Sequence, residues 1–353
     1  MKSLKNLNAR GKRVLVRADF NISDFSSDEI RLTRAIPTLR YLVESRAKVI
    51  VLTHAETNDG RIPSLAPLAC HLQKKYFKNL VFCPAVVGPN AQAHVGKMKN
   101  GDILLLENVR TRRGEKAADK KFAASLASLG DVYVNEAFSV SHRRHASIVL
   151  LPGLLPAYPG FLFRSEIEHL SRAFRPPHPF VAVLGGGKIE TKLPLVKKFS
   201  READQVILGG IPANVFLQKS VPRGNIILPH DGVVREHGKK KTYPVEKVRD
   251  KMKIWDAGSE SLSYWGEIIA RARFVVWNGP LGFIEKGFTE GTARMYTFLK
   301  KSHARVIIGG GDTLSCLPER IPKHIFVSTG GGAMLEFLAE ETLPGIEALQ
   351  RRA

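Results

Sequence analysis

Five stretches in the second half of the chain run from an apolar, strand-like segment straight into glycine. They are VAVLGGGK (181–188), VILGG (206–210), VVWNGP (275–280), VIIGGGDT (306–313) and IFVSTGGGAMLEFL (325–338). A strand that passes through glycines into a helix N-terminus aims backbone N–H groups outward, and the helix dipole reinforces them as a seat for an anion. Glycine also lets a bulky phosphate approach the main chain, because no Cβ stands in the way. One such turn is an ordinary connection; five point to a polyphosphate site. Lys188 follows Gly186 and Gly187 directly, and Lys192 lies four residues further on. On a helix that spacing sets both ammonium groups on one face, where they could neutralise a transferring phosphoryl group. Asp312, between Gly311 and Thr313, suits Mg²⁺, which binds through few protein oxygens, and equally suits a helix N-cap. Glu285, just past Asn278 and Pro280, could accept hydrogen bonds from a ribose or be a solvated loop acid.

The apolar runs of the first half end differently, in charge. Residues 14–16 lead to Arg17-Ala18-Asp19-Phe20-Asn21, with Arg31 shortly after. Residues 49–52 end at Thr53-His54, and residues 103–106 at Glu107-Asn108-Val109-Arg110. Residues 132–134 lead to Asn135-Glu136-Ala137-Phe138 and then Ser141-His142-Arg143-Arg144-His145. Singly, these would be surface arginines or turn formers. Together they suit a small, multiply anionic molecule, since guanidinium forks match carboxylate and phosphate oxygens.

The elements that would position these groups alternate: short buried strands, then amphipathic helices. That pattern implies parallel sheets covered on both faces, with ligands beyond the carboxyl ends of the strands. The expected fold is α/β, with two doubly wound parallel-sheet (Rossmann-like) domains joined by a hinge helix. Ile167, Leu170 and Phe174 at helical spacing, stopped by Arg175-Pro176-Pro177-His178-Pro179, supply that helix. The expected boundaries are 1–162 for the domain holding the small acid, 163–340 for the hinge helix and nucleotide domain, and 341–353 for a tail.

A chain of 353 residues can bury two cores, and 44% hydrophobic with 25% charged residues is ordinary for a globular protein. The net charge of +21 is not, and it favours acidic partners. The basic residues are spread along the chain, densest at Lys239-Lys240-Lys241, which reads as solvated surface more than as a nucleic-acid face. Cys70, Cys83 and Cys316 have no metal spacing and suit a reducing compartment. The N-terminus has no apolar core and reads as no signal peptide. Residues 148–163, the longest apolar run, are broken by prolines and glycines and read as a packed connector, too short to span a bilayer.

No G-x-x-x-x-G-K-[ST] loop and no clean G-x-G-x-x-G occur. With one half suited to a metal–nucleotide and the other to a phosphate-bearing acid, the reading is a kinase of a small metabolite. The stretches VLVRADFN, LLLENVR, DVYVNEAFSVSHRRHAS, LGGGKIETK, VVWNGPLGFIE, IIGGGDT and STGGGAMLE also appear in the order found in phosphoglycerate kinases. The chain resembles that family over nearly its whole length. The resemblance implies reversible phosphoryl transfer between 1,3-bisphosphoglycerate and ADP, giving 3-phosphoglycerate and ATP with Mg²⁺ in glycolysis. It further implies a cytoplasmic monomer with small-molecule substrates, no membrane partner, and a C-terminal tail packed on the first domain.

Carried over by motif, Asp19, Asn21, Arg31, His54, Arg110 and Arg143 hold phosphoglycerate. Gly186, Gly187, Lys188, Gly209, Gly210, Asn278, Pro280 and Glu285 surround the nucleotide, Lys192 holds its phosphates, and Asp312 binds Mg²⁺. Gly311 lies in the same nucleotide-binding turn. Thr313 and Gly330-Gly331-Gly332 sit at the transferring group, with Arg31, Lys192, Gly331 and Gly332 as the catalytic set. Two stretches depart from the family pattern. Ser-His-Leu-Gly-Arg-Pro is replaced by Thr53-His54-Ala55-Glu56-Thr57-Asn58, so Thr57 stands where an arginine grips phosphate, with Arg61 the nearest substitute. Asn-Asp-Ala-Phe-Gly is replaced by Asn135-Glu136-Ala137-Phe138-Ser139. The chain is also short between 217 and 226, where relatives carry a helix lining the base pocket, which leaves nucleotide preference open. The alternative reading is a catalytically impaired relative that binds nucleotide or RNA.

Overall fold

The computed structural model describes residues 1–21, 29–57, 59–218, 224–248, 253–318 and 320–351. They group into two compact units: Met1–Glu168 with Thr342–Ala353, and His169–Glu341.

The first unit is built on β1 (Arg13–Arg17), β2 (Lys48–Leu52), β3 (Leu80–Cys83), β4 (Ile103–Leu106), β5 (Val132–Asn135) and β6 (Ala157–Pro159). These form one parallel sheet in the order β3-β4-β2-β1-β5-β6. The central strands are buried on both faces, which is why they read as unbroken apolar runs. The helix Glu29–Glu44 contributes Leu32, Ala35, Ile36, Leu39 and Leu42, at three- and four-residue spacing, to the core. From β1 the chain moves to β2 on one side and later to β5 on the other, so a crevice opens where these connections part.

The run 148–163 is more structured than a connector. It contains a π-helical turn (Ala146–Leu150), a short helix (Leu151–Leu154) and β6. Pro152 is tolerated in a helix first turn, and Pro159 is tolerated because β6 is an edge strand. The helix Pro344–Gln350 also packs within this unit, and Gly345 N–H donates to Ser141 O at 2.9 Å.

The second unit carries β7 (Phe180–Leu184), β8 (Gln205–Leu208), β9 (Ile226–Ile227), β10 (Asp231–Glu236), β11 (Lys239–Pro244), β12 (Asp256–Ala257), β13 (Phe274–Asn278), β14 (Arg305–Gly309) and β15 (Ile325–Val327). The main sheet is parallel, in the order β15-β14-β13-β7-β8-β9. Its switch point lies between β7 and β13. A separate antiparallel sheet, β11-β10-β12, takes up the lysine run as an edge strand.

Two helical expectations shift. The hinge helix expected through Ile167, Leu170 and Phe174 is an α-helix over Phe161–Leu170 followed by a 3-10 turn, Ser171–Phe174. Lys188 and Lys192 do not share a helix, because the helix runs over Leu193–Glu202 with Lys192 at its cap. Pro194 accounts for this: it fits a first turn but would break a helix begun at Lys188.

Candidate active site

At the carboxyl end of β1 the buried Arg17 organises its neighbours. Its Nε donates to Ser147 Oγ at 2.9 Å and its Nη2 to His54 Nδ1 at 3.2 Å, and it lies 3.9 Å from Glu115. His54, at the end of β2, is also 3.7 Å from Asp19. Burial holds the His54 imidazole well below its usual pKa; Asp19 opposes this, while Arg17, Arg110 and Arg143 add to it. The Asp19 pKa is lowered as well. Burial would raise its pKa, but His54, Arg31, a hydrogen bond from Ser139 and Arg17 outweigh burial and keep it ionised. Four arginines, Arg17, Arg31, Arg110 and Arg143, thus act on one crevice around a neutral imidazole and a carboxylate.

Arg110, beyond β4, is held by Glu56 from beyond β2, and Glu56 also accepts from Lys116 Nζ at 2.8 Å. Asn21 Oδ1 accepts the Glu56 backbone N–H at 2.9 Å. Arg61, the substitute considered for the arginine missing at Thr57, points elsewhere: its side chain is 80% exposed and its Nε donates to Asp59 at 2.7 Å.

In the second unit the glycines divide into two groups. Some permit turns to cross at van der Waals limits. A Cβ on Gly185 would come within 2.2 Å of Pro280 O, one on Gly279 within 2.2 Å of Gly185 O, and one on Gly210 within 2.8 Å of Gly186 N. Gly209 meets Leu281 in the same way, at 2.6 Å. Gly186 N–H donates to Pro280 O at 2.7 Å and Gly185 N–H to Asn278 O at 2.9 Å, so these turns are stitched together. At the carboxyl ends of the strands, Gly187, Gly311 and Gly331 form the other group; like Gly224, Gly238 and Gly287 on other turns, they have nothing within 4 Å of a Cβ. They are the bare main chain that an anion can reach. Gly331 caps the helix Gly332–Glu340 at a positive φ of 53°.

Lys192 is buried, and burial lowers its pKa; Asp312 partly restores it and Lys188 adds to the lowering. Asp312 lies in the first turn of Gly311–Leu314, whose cap is Gly310. Thr313 is buried and its Oγ1 accepts Gly279 N–H at 3.0 Å, tying the turn after β14 to the turn after β13. Asn278 is buried at the end of β13, whereas Glu285 is exposed on the turn Ile284–Lys286.

The model of the family described as phosphoglycerate kinase matches residues 4–222 and 219–341. A phosphoglycerate kinase of Desulfosudis oleivorans is 36% identical over 392 residues, covering 99% of each chain. One of Aquifex aeolicus is 38% identical over 383 residues, covering 97% of this chain and 96% of its own. The chain belongs to the phosphoglycerate kinase family. The solved phosphoglycerate kinase of Pyrococcus horikoshii superposes with a TM-score of 0.90 at 29% identity over 100% of both chains. That of Coxiella burnetii superposes at 0.84 with 33% identity, covering 100% of this chain and 99% of its own. This is a phosphotransferase of glycolysis, and nothing in the fold or the comparisons favours a relative that has lost turnover. Among the described residues no helix is long and apolar enough to cross a membrane.

Within this phosphoglycerate kinase fold, Asp19, Arg31, His54, Arg110 and Arg143 are electrostatically linked in one crevice, and Asn21 joins them through Glu56. Lys188, Lys192 and Asp312 are linked in the other unit. Four further side chains shape the first crevice: Arg17, Glu56, Lys116 and Ser139. Arg17 is legible in the sequence as the start of a charged strand end but without a role of its own; Glu56 and Ser139 are legible as departures from the family motif. Glu136, the other departure, accepts from Thr38 Oγ1 at 2.6 Å and from Leu162 and Phe163 N–H at the start of the helix Phe161–Leu170. Its larger side chain requires Gly160, where a Cβ would fall 1.9 Å from Glu136 Oε2.

Proposed function

We propose that this chain moves a phosphoryl group reversibly between 1,3-bisphosphoglycerate and ADP, giving 3-phosphoglycerate and ATP, as a cytoplasmic monomer. The first unit takes phosphoglycerate on Asp19, Asn21, Arg31, His54, Arg110 and Arg143. The second takes the nucleotide on Gly186, Gly187, Lys188, Gly209, Gly210, Asn278, Pro280, Glu285, Gly311 and Thr313. Arg31, Lys192 and the main chain of Gly331 and Gly332 stabilise the charge on the group in flight. Transfer requires the two sets of strand ends to meet, through closure of the domains, which also excludes water.

No general base is needed. The attacking carboxylate of phosphoglycerate is already ionised near neutral pH, so positioning and charge suffice. Asp312 is a single carboxylate beside bare glycine and a buried ammonium, which fits Mg²⁺ carried mainly by substrate phosphates. When bound beside Asp312, the ion would neutralise phosphate charge.

The observation that carries this reading is Lys192, a buried cation within the electrostatic reach of Asp312 and with Nζ 3.4 Å from where a Cβ on Gly186 would stand. A coupled assay of ATP-dependent phosphorylation of 3-phosphoglycerate tests it. Lys192→Ala should lower kcat by about 100-fold or more with the circular dichroism spectrum unchanged. Near-wild-type turnover in that variant would remove Lys192 from the mechanism.

A further inference from the structure

Glu56 stands where the family motif has glycine, and its carboxylate pairs with two cations, Arg110 of the phosphoglycerate crevice and the neighbouring Lys116. Oε2 pairs with Arg110 Nη1 and Oε1 accepts from Lys116 Nζ at 2.8 Å. We propose that Glu56 is an internal competitor for the phosphoglycerate seat, holding Arg110 and Lys116 until an anionic group of the substrate displaces it. The inference rests on the reading of Arg110 as a substrate-binding residue.

Three observations support displacement over a fixed structural pair. Arg110 is buried, yet its Nε makes no hydrogen bond, so Glu56 leaves part of the guanidinium fork unsatisfied. A substrate oxyanion can complete that fork. The Glu56 backbone is pinned by Asn21 at 2.9 Å, so the side chain can rotate away while the main chain stays in place. A cavity of about 260 Å³, lined by Asn21, Thr57 and Ser64 among others, opens beside Glu56 and can receive it. Lys116, half-exposed, meanwhile offers a second cation that phosphoglycerate gains only when Glu56 leaves. The substitution therefore acts against binding: an anionic substrate must overcome an intramolecular carboxylate for the same donors.

The test uses the full chain, with Glu56→Gln and Glu56→Gly checked for folding by circular dichroism. The KM for 3-phosphoglycerate should fall by about fivefold in each, with the KM for ATP unchanged, as expected for removal of a partly exposed ion pair. Calorimetric titration of 3-phosphoglycerate without nucleotide should show the same gain. An unchanged or raised KM and Kd in the folded variants overturns the proposal; if the glutamine variant misfolds, the glycine variant decides. Wild-type turnover without tighter binding in the variants sinks the competitor alone. Tighter binding without wild-type turnover sinks the catalytic reading and leaves the competitor standing.

Discussion

Nη2 of Arg17 donates to Nδ1 of His54 at 3.2 Å. A guanidinium has only donors, so Nδ1 is the acceptor and the imidazole proton sits on Nε2. A neutral His54 is thereby fixed as a donor on its other nitrogen, in line with its lowered pKa. Replacing Arg17 with methionine removes this control and leaves Glu115 buried without its cation. Arg17→Met should lose about 3–5 kcal/mol in urea unfolding, and its KM for 3-phosphoglycerate should rise. Wild-type values for both would show that Arg17 does not set the His54 tautomer.

The two groups of glycines should separate under mutation. Gly185→Ala forces a Cβ to 2.2 Å from Pro280 O and should destabilise the fold by about 1–3 kcal/mol. Gly187→Ala and Gly311→Ala meet nothing within 4 Å, so stability should stay within about 0.5 kcal/mol while the KM for ATP rises. Thermal unfolding with parallel ATP kinetics checks both. Equal stability losses at the two kinds of position would contradict the division.

Arg61 is exposed and engaged with Asp59. Arg61→Ala should leave the KM for 3-phosphoglycerate within about twofold of wild type, as exposed pairs contribute little. A large increase would mean that Arg61 reaches the substrate after all.

His145 couples stability to pH. Burial lowers its pKa to about 4, and Arg110, Arg17, Arg143 and Lys116 add to the shift. In the unfolded chain it returns to about 6.5. Below that value the unfolded chain takes up a proton that the folded chain refuses, so stability falls as pH drops from about 6.5 toward 4 and is flat above. His142 is shifted in the same direction. The urea midpoint should decline between pH 6.5 and 5, before most carboxylates titrate, and His145→Gln should make that decline shallower. Identical slopes would assign the acid sensitivity to other groups.

The parallel sheets were legible because strands buried on both faces leave unbroken apolar runs, as at Leu15 and Val275. β9 and β12, two residues each, are too short for any period to register. β11 escaped because its lysines face solvent on an edge and carry no apolar alternation. Glycine-rich turns marked the edge at which phosphate is expected, but not their division of labour. A residue without a side chain gives no sign of what crosses it, so Gly185 and Gly187 look alike until Pro280 is placed. Arg17 was obscured for a different reason. Its partners Ser147 and Glu115 lie about a hundred residues away in sequence, and only the sheet order brings them together.

The helix Pro344–Gln350 seals against Ser141, so the second unit is, in connectivity, one long insertion within the first. A ribosome making this chain releases the whole second unit before the first receives its last helix. Until then the Ser141 and Ile148 surface waits uncovered, and a chain stopped near residue 341 would carry an exposed seam on a lobe whose last strand ended at Pro159.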